Sequence, residues 1–209
     1  TQCANDAWKV ANESPGNIAT LIVPADYAWS NIQSDLPKKV KLNNRKSVDS
    51  KLIEAAYKLL SKPNSMLYLG GKFLDEECLK FAAQIATKTG CRLVTDTFVS
   101  RIRRGAGLPI IQQVPYFSEM AEDFLQGTES IVFIGTKPPV SFFAYPDKKS
   151  FLSPDEAELF QLCSVEEDGH EALALLSELS GSPKIANDLI RPHISDVPTS
   201  GDLDVTTLG

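Results

Sequence analysis

Apolar and polar positions along the chain fall into two alternating rhythms from about residue 48 onward. Val48, Leu52, Ile53, Ala56, Leu59 and Leu60 recur at helical spacing, with Asp49 in the first turn and Pro63 as the stop. Met66 to Leu69 is a short apolar run broken by Gly70-Gly71, which predicts a strand buried on both faces. Leu74, Cys78, Phe81, Ala82, Ile85 and Ala86 predict a second amphipathic helix, closed by Gly90 as a left-handed cap. Cys91 to Thr95 reads as a strand, Asp96 to Pro115 as an irregular stretch, and Tyr116 to Gln126 as a helix ending at Gly127. Ser130 to Ile134 is a further buried strand ending at Gly135, Phe160 to Cys163 a short one, and His170 to Ser180 a helix with Leu173, Leu176 and Leu179 on one face. Strands alternating with helices predict an α/β fold, a Rossmann-like parallel sheet with right-handed crossovers and helices on both faces.

The ends of the chain are different. Asn5 to Asn12 is helix-like, with Ala7, Trp8 and Ala11 on one side. Pro15-Gly16 then precedes the apolar run Ile18 to Val23, which ends at Pro24 and predicts another strand buried on both faces. From Asp35 to Ser47 the chain is polar and basic, a linker. From Ser182, Pro183, Pro192, Pro198 and Gly201 mark a second linker. The organisation is therefore 1–34, a linker at 35–47, a central domain at 48–181, and a linker at 182–209.

Composition narrows the function classes. A net charge of -6 and a pI near 5.0 disfavour nucleic acid as a partner. The basic stretches Lys38 to Lys41 with Arg45-Lys46, and Arg101 to Arg104, read as solvated loops. The four cysteines, Cys3, Cys78, Cys91 and Cys163, form no C-x-x-C pair and read as small buried apolar residues in a reducing compartment. No stretch approaches the roughly 18 apolar residues of a membrane span. A cytoplasmic fragment without its natural start, opening on Thr1, fits best.

Catalytic patterns are missing. There is no G-x-S-x-G elbow, no G-x-G-x-x-G fingerprint and no P-loop. The two histidines, His170 and His193, have no partner placed by motif, and Glu166, Glu167 and Asp168 read as a helix start rather than a metal site. What remains is glycine at two strand ends, Gly70-Gly71 and Gly135. In open parallel sheets, ligands bind beyond the carboxyl ends of the strands, where glycine admits a nucleotide close to the backbone; glycine there also serves plain turn geometry.

Two passages carry a family resemblance. Gly135 to Pro146, with Ser150 to Pro154 after it, resembles an acetolactate synthase-like subgroup of thiamine-diphosphate enzymes related to benzoylformate decarboxylase. So does Arg104 to Gly107 followed by Val114 to Phe117. Ala7 to Asp26 is similar to the last helix and strand of their first, pyrimidine-binding domain, and Leu203 to Gly209 to the lead-in of their third. The resemblance implies the central domain of a 2-keto acid carboligase or decarboxylase. Thiamine diphosphate and magnesium would be held by the first and third domains, which this chain lacks, and the whole enzyme would be a homodimer or tetramer. It implies no catalytic residue and no metal ligand here. Some relatives bind FAD or ADP in this domain. The matching positions are Gly70 and Gly71 after the first central strand, and Gly135, Thr136 and Lys137 at the second contact. Lys137 stands where FAD-containing members carry Arg, followed by Pro138-Pro139 instead of an acidic pair, and an ammonium does not reproduce a planar fork on phosphate. The competing reading is a self-standing FAD-, NAD- or ADP-binding module, like domains of electron-transfer flavoproteins or sirtuins.

Overall fold

In the computed structural model, residues 2–31, 40–144, 146–185 and 189–191 are described. The core is a five-stranded, all-parallel sheet. Its strands are β1 (Ser65–Leu69), β2 (Arg92–Thr95), β3 (Gln112–Gln113), β4 (Ser130–Ile134) and β5 (Glu158–Cys163), in the order β3-β2-β1-β4-β5. The chain runs outward from β1 through β2 to β3, then returns to the other side of β1 for β4 and β5. The order therefore reverses between β1 and β4.

Every residue of β1 and β4 is buried, as a central strand covered on both faces requires. The period of two divides their side chains between two apolar clusters. Leu67, Leu69, Leu93, Val132 and Ile134 face one side, against α3 (Ser50–Leu60), α4 (Glu76–Thr89) and α6 (Gly169–Leu179). Met66, Tyr68, Val94, Ile131 and Phe133 face the other, where Ala121 and Leu125 of α5 (Ser118–Leu125) cover them.

Local chemistry sets the helix ends. Asp49 caps α3 by accepting from the Lys51 amide at 2.8 Å, and Asp75 caps α4 by accepting from the Cys78 amide at 3.0 Å. Gly90 closes α4 at φ +76°, with its amide donating to the Ala86 carbonyl, as the sequence predicts. The strand β3 lies inside the stretch read as irregular. Two exposed glutamines carry no apolar alternation, so only the ladder to β2 reveals it. As a short polar edge, it offers little to a stray strand.

The expected strand at Ile18–Val23 is absent. After α1 (Gln2–Asn12) the chain runs as coil into a short helix, α2 (Ala25–Trp29). Ile18 is 98% exposed and Ile22 is 87% exposed. An apolar run becomes a buried strand only where neighbouring strands pair with it, and no described residue pairs with this one. No residue of α1 is buried either, and Cys3 is exposed, unlike the buried Cys78, Cys91 and Cys163. At the other end, Leu189 bridges Pro109 and the Ile190 amide donates to the Leu108 carbonyl at 2.9 Å, so this part of the expected linker clips back onto the core. The positions of His193, Pro198 and Leu203 to Gly209 lie outside the described residues, as do Lys38 and Lys39.

This asymmetry is measurable by urea denaturation. Leu67→Ala, at a site fully removed from solvent, is expected to cost about 2–5 kcal/mol. Ile18→Ala is expected to stay within about 0.5 kcal/mol. A large loss at Ile18 would mean that the coil is covered in solution.

Candidate functional site

The sheet brings the predicted residues together. Gly70 and Gly71 follow β1, and Gly135, Thr136 and Lys137 follow β4, so both loops leave adjacent carboxyl ends where the strand order reverses. Gly71 sits at φ +60° and Gly135 at φ +67°, in the left-handed region that favours glycine. Gly70, at φ -152°, is extended.

The loops fill their own crevice. A methyl group added at Gly70 would lie 2.5 Å from the Thr136 Cβ, and one at Gly71 would lie 3.0 Å from the Gly135 carbonyl oxygen. At Gly135 it would fall 2.3 Å from the Phe73 ring, which also presses on Gly169. The Gly70 amide donates to the Ile134 carbonyl at 2.9 Å and the Gly135 amide to the Cys163 carbonyl at 2.8 Å. Both amides thus complete the sheet. In this arrangement the glycines admit neighbouring loops and the Phe73 ring. Lys137 is exposed on the outer lip.

Three residues that sequence reasoning did not select organise the rest. Asp96, directly after β2, accepts from the Tyr68 hydroxyl at 2.9 Å with one oxygen and from the Thr136 hydroxyl at 2.5 Å with the other. Burial first, and then the Asp96 charge, push the Tyr68 hydroxyl far above the usual phenol range, so it stays a neutral donor. Phe73 carries the Arg45 guanidinium 5.2 Å from its ring centroid and meets the His170 ring edge-on at 6.1 Å. An acidic residue one step beyond an apolar strand was the available signal for Asp96; nothing local marked Phe73 or Gly169.

Beside this knot lies a cavity of about 410 Å³, bounded by Tyr68, Asp96, Thr136, Lys137, Tyr116 and Phe142 among others. Its outer wall is aromatic. Phe98, Tyr116, Phe142 and Phe143 pack in tilted and edge-to-face pairs with centroids 4.7–6.1 Å apart. Phe98 and Phe142 nevertheless stay about 60% exposed. The stretch Arg101, Arg103 and Arg104 is exposed, as expected of a solvated loop. Asp168 caps α6 by accepting from the Glu171 amide at 3.1 Å, so the acidic run is a helix start.

Two measurements address this knot. Gly135→Ala is expected to destabilise by roughly 1–3 kcal/mol, because it forces both an unfavourable φ and an overlap with Phe73. In alkaline titration, Tyr68 is expected to ionise only as the chain unfolds. Its raised folded pKa means that stability is complete below the free phenol range and falls as pH rises through it. Tyr68→Phe is expected to remove that alkaline step from an ultraviolet difference titration.

No family model matches the chain. It is 35% identical over 160 residues to a Mycobacterium tuberculosis protein (strain ATCC 25618 / H37Rv) provisionally named acetolactate synthase large subunit IlvX, a stretch that is 75% of this chain and 30% of the relative. In fold it is similar to the structure of a provisionally assigned thiamin diphosphate-dependent enzyme from Mycobacterium smegmatis, with a TM-score of 0.64 and 19% identity over 97% of this chain and 41% of the other. The benzoylformate decarboxylase of Polynucleobacter necessarius gives a TM-score of 0.65 at 19% identity, covering 98% of this chain and 41% of its own. The chain thus spans about a third of the length of the curated relative. In sequence and in fold, then, it is akin to the central domain of the acetolactate synthase-like thiamine-diphosphate enzymes.

Proposed function

We propose that this chain is the central, spacer domain of an acetolactate synthase-like enzyme that joins or decarboxylates 2-keto acids, and that it is structural rather than catalytic. The observation that carries the reading is the sequence likeness confined to 30% of the relative's length, together with a crevice closed by its own loops. Thiamine diphosphate and magnesium do not fit the residues at the sheet end. Asp96 has both oxygens engaged, and Thr136 and Phe73 fill the space beside Gly70 and Gly135. In this reading the cofactor belongs to the flanking first and third domains of a homodimeric or tetrameric enzyme. The exposed Trp8, Ile18, Ile22, Tyr27 and Trp29, and the aromatic wall at Phe98 and Phe142, are the surfaces those domains would cover.

The chain alone is expected to give no turnover of pyruvate with thiamine diphosphate and magnesium. Expression together with the flanking domains of the Mycobacterium tuberculosis relative is expected to bury tryptophan, read as a blue shift in fluorescence. Turnover by the isolated chain would overturn the reading.

A second reading, a nucleotide-binding module, is favoured by the 410 Å³ cavity, whose size falls in the range of small-ligand sites. Here Lys137 would meet phosphate at the lip, with Gly70, Gly71, Gly135 and Thr136 supplying backbone once the loops part. Thermal unfolding with FAD, NAD and ADP separates the two readings. A ligand at about 100 times its Kd adds roughly 2.7 kcal/mol of stability, which only the module would show. Lys137→Ala is expected to abolish any such shift.

A further inference from the structure

Next to the crevice, on the α3–α4–α6 side of the sheet, lies a cluster of a different chemistry. The helices α4 and α6 begin side by side after β1 and β5, and their N-terminal ends carry Asp75, which caps α4, with Cys78 and His170 in the first turns. We propose that these three residues bind a borderline divalent cation of the zinc type, as a centre fastening the two helix starts together.

The donors converge from both helices. One carboxylate oxygen, the thiol sulfur and a ring nitrogen all lie within 4.8 Å of one another. The His170 Nε2 is 2.6 Å from Asp75 Oδ2. Zinc bonds of about 2.0–2.3 Å place tetrahedral ligands some 3.3–3.8 Å apart. A cation between them therefore opens the Asp75–His170 contact by on the order of 1 Å, within reach of two half-exposed side chains. One nitrogen, one oxygen and one sulfur form a mixed set suited to zinc rather than to magnesium or calcium, which prefer oxygen alone.

The supporting contacts have the form that metal ligands need. Asp75 Oδ1 is held by the Cys78 amide at 3.0 Å, which fixes the carboxylate and leaves Oδ2 facing the cluster. The other ring nitrogen of His170, Nδ1, faces Glu77 Oε2 at 3.6 Å. A carboxylate behind a histidine whose far nitrogen meets the cation is the usual orienting arrangement of such sites. Phe73 meets the imidazole edge-on and limits its rotation. A plain tie between Asp75 and His170 would require neither the second carboxylate nor the thiol.

A bound dication takes the Cys78 sulfur as thiolate. Cys78 is fully buried, while Asp75 and His170 are about 40% and 36% exposed, which provides an entry path and leaves a fourth position to water.

Cobalt(II) is the spectroscopic probe, titrated into the full chain carrying Cys3→Ser to remove the exposed thiol. One equivalent is expected to bind with tetrahedral visible bands and a near-ultraviolet thiolate-to-cobalt absorption, and zinc is expected to displace it. Cys78→Ser is expected to erase the near-ultraviolet band, and both it and His170→Gln to weaken binding by about tenfold or more. Circular dichroism checks the fold of each variant, and His170→Gln decides alone should Cys78→Ser fail to fold. Absence of stoichiometric uptake, or uptake undiminished by these substitutions, would overturn the site.

Discussion

The close approach of two loops at the carboxyl end of the sheet constrains everything near it. Residues after β1 and β4 meet with so little space that a single methyl group at Gly70 or Gly135 would overlap Thr136 or Phe73. That approach exists because the strand order reverses between β1 and β4, which places two strand ends side by side with their loops turning toward one another. In many sheets of this kind the same place is left open for a ligand. Here Phe73 enters it, and Arg45, Gly135, Gly169 and His170 surround its ring.

The same packing explains the polar chemistry around it. Once Thr136 is pressed against Gly70, its hydroxyl reaches Asp96, and the remaining Asp96 oxygen takes the Tyr68 hydroxyl. Three elements, β1, β2 and the loop after β4, are thereby joined by one carboxylate with both oxygens satisfied. A half-buried carboxylate paired in this way holds the groups around it in one orientation. The glycines, the aromatic ring and the carboxylate therefore work as one unit, rigid at its centre and opening outward onto an aromatic wall.

On the proposed reading, that outer surface is where the flanking domains pack. A chain that presents Ile18, Ile22, Trp29, Phe98 and Phe142 to solvent has more apolar surface than its own sheet can cover. Among the described residues, 2–31 reach the rest of the chain through contacts such as the Ser14 hydroxyl on the Val165 carbonyl and Asn43 on Glu13. Surfaces of this kind belong where other domains pack. The cluster at Asp75, Cys78 and His170 instead sits at the rim of the core, with Cys78 buried and Asp75 and His170 partly exposed.

Much of the fold was legible in the sequence because the periodicities of its central strands and helices are local. Met66–Leu69 and Ser130–Ile134 lie in buried strands, and Gly90 caps its helix at positive φ, since those outcomes depend on a few adjacent residues. Ile18–Val23 had an equally apolar run and stayed coil, because a strand needs partners that its own residues cannot supply. Gln112–Gln113 became a strand with no apolar signal, because β2 offered an edge. Glycine at Gly70, Gly71 and Gly135 could be read as a site or as a turn, since both require a residue without a side chain. Only the tertiary packing decided what fills the space beside it, and it placed Phe73 and Thr136 there.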